Sequence, residues 1–152
     1  MPCVDEAGFE RLHRQHEEAL GALDRLEAAL EGGLNGPAPF LQALDEFLSV
    51  FDRVVAPHMA AEEQDLYPLL DRCVPPEVGS AEAMLREHET MRSLVALLRR
   101  GRERLARQAS DAEVEALTAA QDFTLLLREH IRKEEHVVNP LLRRLLLEAR
   151  PG

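Results

Sequence analysis

The chain has 152 residues, of which 45% are hydrophobic, 30% charged and 4% aromatic, and its formal net charge is −10. A single domain of this length buries roughly 70% of its unfolded surface, and the acidic balance argues against a nucleic-acid-binding surface. No apolar run approaches the roughly 18 residues of a membrane span, no secretory leader is recognisable, and the two cysteines, Cys3 and Cys73, form no Cys-x-x-Cys pair. We therefore expect a cytoplasmic monomer or homodimer with free thiols and with no nucleic-acid or membrane partner.

Four helices are predicted, because Leu, Ala, Glu and Arg predominate and clusters of Gly and Pro interrupt the helical periodicity. In chain order they cover about residues 5–31, 37–72, 80–108 and 111–149. The candidate N-caps are Asp5, Ser80 and either Ser110 or Asp111. Short connections imply antiparallel neighbours. The predicted fold class is all-α: one domain over residues 1–152, an antiparallel up-down-up-down four-helix bundle with a metal site in its core.

The second predicted helix contains two internal prolines, Pro57 and Pro68. A proline inside a helix removes one backbone hydrogen bond and clashes with the preceding turn. We therefore expect a kink or a break near Val54, within one domain. Pro140 occupies the place in the fourth helix that Pro68 has in the second.

A polar pattern recurs at an offset of 72 residues. Its histidines take positions on apolar helical stripes where leucine is expected. Helices can be alike for packing reasons alone, but packing does not explain why the polar residues are the part that repeats. The related elements are His16 and His88, His58 and His130, Glu62 and Glu134, and the Pro-Leu-Leu segments 68–70 and 140–142.

The repeated residues are suited to a dinuclear metal centre. Residues four apart share one helix face, so His58 and Glu62, like their counterparts on the fourth helix, can point at one place in the bundle. Each metal would then receive two histidines, and both glutamates would be available as bridges, together with a solvent-derived oxide or hydroxide. Nitrogen and oxygen ligands suit two iron ions (Fe2+/Fe3+), with zinc or manganese as alternatives. The predicted metal ligands are His16, His58, Glu62, His88, His130 and Glu134.

Other polar residues near this pattern have weaker predicted roles. Glu63 and Glu135 point roughly 100° away from the neighbouring ligand glutamates, which favours solvated or supporting positions over ligation. His13 lies at the edge of its apolar stripe and is a less favoured fifth imidazole. Asp65 is a candidate supporting residue, whereas Tyr67 is interpreted as a packed aromatic in preference to a hydrogen-bond donor at the site.

This pattern resembles the hemerythrin-like, or HHE cation-binding, domain family over nearly the whole chain. The resemblance implies an antiparallel four-helix bundle around a non-haem di-iron site, with the four histidines as terminal ligands and the two glutamates as bridges. Oxygen-carrying hemerythrins of invertebrates are similar but have a further histidine one turn from that of the third helix, where this chain has Met84 or Arg92. The resemblance rests on His16, His58-x-x-x-Glu62, His88-Glu89 and His130-x-x-x-Glu134.

The predicted function is that of a di-iron protein that binds dioxygen, nitric oxide or hydrogen peroxide. Its role would be oxygen or redox sensing, or protection against oxidative or nitrosative stress. Enzymatic turnover stays open, with peroxide decomposition as the favoured reaction. The alternatives are a module that buffers or senses iron or zinc without turnover, and a bundle whose polar core is satisfied internally. The His-x-x-x-Glu order argues against a ferritin-type oxidase, whose site uses mostly carboxylates and the order Glu-x-x-His.

Overall fold

A computed structural model describes residues 5–31, 37–75, 81–107 and 112–148. Within these ranges the chain forms four long helices and no strand, which confirms the all-α class. No helix in the described part combines the length and the apolar character needed to cross a membrane. Cys3, the predicted caps Ser80, Ser110 and Asp111, and the predicted helix ends at 108 and 149 lie outside the described residues. The helices are α1 (Glu6–Glu31), α2 (residues 37–73), α3 (Ala81–Ala106) and α4 (residues 112–148).

Ion pairs between neighbouring helices define the directions in which the helices run. In every pair of neighbours, residue numbers rise along one helix as they fall along the other, so all four contacts are antiparallel and the up-down-up-down bundle is confirmed. The pairs are Glu18–Arg53 and Arg25–Glu46 (α1 with α2), Asp45–Arg102 and Asp52–Arg99 (α2 with α3), Glu87–Lys133 and Arg104–Glu115 (α3 with α4), and Glu6–Arg143 and Asp24–Arg128 (α1 with α4).

The apolar core is divided into two clusters along the bundle. The larger cluster includes Phe47 and Phe51, whose rings contact the ring of Phe123 edge-on at centroid distances of 5.1 and 5.9 Å. The smaller cluster, at the opposite end, is built around Phe9 and Tyr67. Along each helix the buried histidines and glutamates lie between these two clusters, so a polar layer crosses the middle of the core.

Three π turns interrupt the α-helical hydrogen bonding of α2 and α4, over Phe51–Val55, Glu62–Leu66 and Glu134–Val138. A proline follows two residues after each turn, so its missing N–H falls in the first turn of the next α-helical segment, where it is tolerated. The irregularity expected near Val54 is therefore a π turn, and the chain stays helical through it; the other two turns were not predicted. The closing hydrogen bonds run from the N–H groups of Ala56, Tyr67 and Asn139 to the carbonyls of Phe51, Glu62 and Glu134.

Candidate metal centre

All six predicted ligand residues lie in the polar layer between the two apolar clusters. One histidine comes from each helix, and the two glutamates come from α2 and α4. His58 is the most exposed of the six residues, and only 5% of its surface is accessible. The structure thus brings the whole predicted set together, and metal binding by these residues stays a prediction.

The ligand-type atoms form two groups that share both glutamates. Within each group the nitrogen and oxygen atoms lie within 4.8 Å of one another. This division, with two histidines for each group and two shared carboxylates, is the one expected for a dinuclear centre. Position A consists of His16, His58, Glu62 and Glu134, and position B of His88, His130, Glu62 and Glu134.

Each of the four imidazoles directs its Nε2 atom toward the shared carboxylates. The Nε2 atoms of His88 and His130 are also only 3.1 Å apart. The Nε2-to-carboxylate distances are 3.2 Å from His58 to Glu62, 3.3 Å from His88 to Glu62 and 3.8 Å from His16 to Glu134, and His130 is in direct contact with Glu134.

The outward-facing Nδ1 atoms are held by acceptors around the centre. Carboxylate and amide oxygens can only accept a hydrogen bond, so each bonded Nδ1 must carry the ring proton and the Nε2 lone pair is left to face inward. Metal-ligating histidines are oriented in this way in proteins. His16 donates to Glu135 (2.6 Å), His58 to Gln15 (2.7 Å) and His130 to Glu87 (2.9 Å), while His88 Nδ1 lies 3.5 Å from Glu63, outside hydrogen-bond geometry.

Buried atoms without hydrogen-bond partners show that the layer fits cations. Buried polar atoms in proteins are nearly always paired. A pair of cations would satisfy the unpaired atoms that face the shared centre. Those atoms are Nε2 of His16 and His58, Oε2 of Glu62, and both carboxylate oxygens of Glu134, while His88 Nδ1, on the outer side, is also unpaired.

The protonation states of the layer favour ligation. Burial raises the pKa of Glu62, but the adjacent imidazoles of His58 and His88 outweigh this effect and hold that pKa at about 2. Burial lowers the pKa of His16, although its hydrogen bond to Glu135 opposes the shift. A carboxylate that stays ionised and an imidazole that stays neutral are the forms that bind metals.

Two supporting residues, Gln15 and Glu87, were not predicted from the sequence. Both are half-buried and precede a ligand histidine by one residue. They are separated by the same offset of 72 residues that relates the ligands, as are Glu63 and Glu135. The offset was therefore the signal that could have identified them.

The remaining candidates lie around the centre without joining the six. His13 is exposed and pairs with Glu135, 3.0 Å away, so it is not a fifth imidazole ligand. Asp65 is half-buried in the second π turn, and no contact among the described residues joins it to the six. Tyr67 packs in the core, as the sequence analysis predicted. Its hydroxyl also reaches the site and lies 3.0 Å from His88 Nε2.

The arrangement defines a class of protein: a four-helix bundle whose core carries a buried layer of four histidines and two glutamates able to hold cations. The model of the hemerythrin HHE cation binding domain matches residues 7–142, and the chain therefore belongs to that family. Neither the curated proteins nor the solved structures contained a significant match to it.

Proposed function

We propose that this chain is a non-haem di-iron protein that binds one small ligand (dioxygen, nitric oxide or hydrogen peroxide) and acts in oxygen or redox sensing or in protection against oxidative or nitrosative stress. The observation that carries the proposal is the pair of four-residue groups sharing Glu62 and Glu134. Nitrogen and oxygen ligands of this kind suit iron. When bound, iron supplies the reversible change between ferrous and ferric states.

The protein's own residues fix the geometry of the centre. Outer acceptors hold the Nδ1 atoms of His16, His58 and His130, so these three rings are oriented before any ion binds, which reduces the cost of binding. Glu62 and Glu134 each begin a π turn, a feature that often occurs at functional sites in helices.

A small cavity at the centre, lined by the four residues of position A and by His130 of position B, supports a ligand no larger than a diatomic molecule. Its volume is about 10 Å³, close to the minimum that holds one water molecule. One side is formed by ligand residues and the other by apolar side chains, which exclude bulk water and larger solutes. The apolar residues are Ala19, Val55, Met59, Met91, Leu127 and Ile131.

The proposal is tested by metal analysis followed by ligand titration. Protein purified without a nickel-binding tag should contain about two irons per chain, as the two positions require. Glu134→Ala should remove most of the metal, because Glu134 belongs to both positions. His136→Ala is the matched control, since His136 is exposed on the same helix and should leave the metal content unchanged.

Ligand binding is then followed by the absorption spectrum of the reduced protein under nitric oxide, dioxygen and peroxide. Ala19→Val should fill the cavity and weaken the response at unchanged iron content. Ala22→Val is the control, because Ala22 is equally buried on the same helix but does not line the cavity.

Three outcomes would change the conclusion. Two bound zincs and no spectral response to any of the three ligands would favour the alternative function of buffering or sensing a metal without turnover. A response that persists fully in Ala19→Val would refute the role of the cavity. Folded protein that contains no metal and takes up none would overturn the dinuclear centre itself.

A further inference from the structure

The two metal positions have the same ligands but different flanks. Tyr67 and Asn139 are related by the offset of 72 residues, and each closes the π turn that follows a ligand glutamate. On the side between α2 and α3, Tyr67 is 2% exposed and its hydroxyl contacts His88 of position B. Asn139, on the other flank, is smaller, and its buried Oδ1 has no hydrogen-bond partner.

The surface beside Asn139 is open. A pocket of about 500 Å³ lies between α1 and α4 and is lined by Asn139, His13 and Glu135, among other residues. A second pocket of about 420 Å³ is also lined by His13 and Glu135 and reaches the ligand His16 itself. We call these two pockets together the α1–α4 seam. His13 and Glu135, which are hydrogen-bonded to each other, line both pockets.

The outer carboxylates of position B are covered by permanent cations. Arg92 donates two hydrogen bonds to Glu63, and Lys133 donates one to Glu87 at 2.5 Å. A cation that approached position B from these sides would meet an arginine or a lysine in front of the carboxylate.

At position A, no arginine or lysine in the described part of the chain is paired with the outer groups. Glu135 is covered by the exposed imidazole of His13, and the outer acceptor of His58 is the neutral Gln15. A cation approaching along the seam meets Glu135 with no arginine or lysine bonded to it among the described residues, although the four glutamates and four arginines of the seam leave it without net formal charge. Three of the arginines that line the seam, Arg128, Arg132 and Arg143, are each paired with a carboxylate. The other charged residues lining it are the exposed Arg14 and the acidic residues Glu6, Glu10, Glu17 and Glu135.

We propose that metal ions enter and leave the centre along the α1–α4 seam, and that position A exchanges its ion before position B. Tyr67 closes the corresponding route on the opposite flank, and Asn139 leaves the seam passable. This inference rests on the proposed function only in requiring that the centre bind two ions.

Zinc exchange tests the inference without any activity of an iron-loaded protein. The full chain is loaded with two zincs, and release to a chromogenic chelator is followed by absorbance. Release should occur in two phases of one zinc each, with the phase from position A several-fold quicker, because Asn139 leaves its route open while Tyr67 covers position B. Tyr67 is the one tyrosine of a chain without tryptophan. Its hydroxyl lies nearer to His88 of position B than to the shared Glu62, so its emission should change more in the slower phase.

Matched substitutions assign the route. Asn139→Phe should narrow the seam and slow both phases several-fold, because both ions leave along it. Tyr67→Asn gives position 67 the residue that the chain has at the equivalent position 139. This substitution should accelerate the slow phase and leave the fast phase unchanged.

A surface substitution keeps the test independent of core packing. Glu17 is exposed and lies 3.1 Å from His13, so Glu17→Arg should slow the first zinc's association about 10-fold at low salt, an effect that salt screens. Glu103→Arg has the same change in charge on exposed surface, roughly 22 Å along α3 from His88, and should have no effect.

The outcomes separate this inference from the proposed function. Folded protein that binds no zinc would overturn both. Two bound zincs that leave in a single phase, or a Tyr67 emission change that is larger in the faster phase, would overturn the exchange order alone. Equal association rates for Glu17→Arg and Glu103→Arg would overturn the route.

Discussion

Removing the metal should lower the melting temperature of this protein by a large and calculable amount. The two positions form only in the folded state, because their ligands come from four helices that span most of the chain. An ion present at 100 times its dissociation constant then stabilises the fold by about 2.7 kcal/mol, and two ions by about 5 kcal/mol. Each kcal/mol shifts the melting temperature of a domain of this size by roughly 2–4 °C, so the expected difference is roughly 10–20 °C.

The assay is thermal unfolding followed by circular dichroism, with chelator and with added zinc. The fold should survive chelation at low temperature, since the two apolar clusters of the core contain no metal ligand. Glu134→Ala should lose most of the zinc-dependent shift, whereas His136→Ala should retain it. Equal melting temperatures with chelator and with saturating zinc would refute the reasoning, and so would a full shift in Glu134→Ala.

Other contacts predict smaller effects on the free energy of unfolding. Burial raises the pKa of Glu87, but hydrogen bonds from a histidine and a lysine outweigh it and hold that pKa at about 2, below the ordinary 4.5. The contribution of Glu87 is therefore complete above about pH 4.5 and is lost as the pH falls toward 2, so the deficit of Glu87→Gln in urea unfolding should shrink over that range. Gly21→Ala should stabilise the protein by up to about 1 kcal/mol, because the new Cβ atom lies 3.6 Å from its nearest neighbour. Gly101→Ala should gain less or be destabilised, because its Cβ would lie 3.0 Å from that of Ala116; chemical unfolding of both variants measures the difference.

The four helices and the six site residues could be predicted because independent sequence signals agree on them. Glycine and proline clusters end the periodic segments. Histidines at apolar helical positions are unusual by themselves, and their recurrence at a fixed offset identifies a shared centre. In the structure these residues occupy one layer and form two groups, as the i and i+4 spacing of His58 and Glu62 predicts.

The orientation of the imidazoles could not be predicted, because it depends on contacts between helices. Gln15 and Glu87 are polar residues beside the ligands, a position that is equally compatible with solvated surface. Their role becomes apparent only when the bundle brings Gln15 of α1 to His58 of α2, and Glu87 of α3 to His130 of α4. Such pairings between helices are not encoded in the periodicity of one helix.

The π turns explain why a fixed helical projection misplaces Tyr67. In a regular α-helix the residue one turn after Glu62 is Leu66, and a projection at 100° per residue assigns that residue to the ligand face. A π turn holds one additional residue, so the fifth residue follows on the same face, and the hydroxyl of Tyr67 lies near a carboxylate oxygen of Glu62, at 3.5 Å. The same shift brings Asn139 to the opposite flank of the centre.

A proline six residues after a ligand glutamate therefore has a consequence beyond the local backbone. It favours a π turn at the ligand, and the turn selects which side chain flanks the metal. Both halves of the chain contain such a proline, Pro68 and Pro140. The π turn before Pro68 is closed by a tyrosine, and the one before Pro140 by an asparagine. The ligands are thus related by the repeat, while the residues that the π turns bring beside them distinguish the two positions.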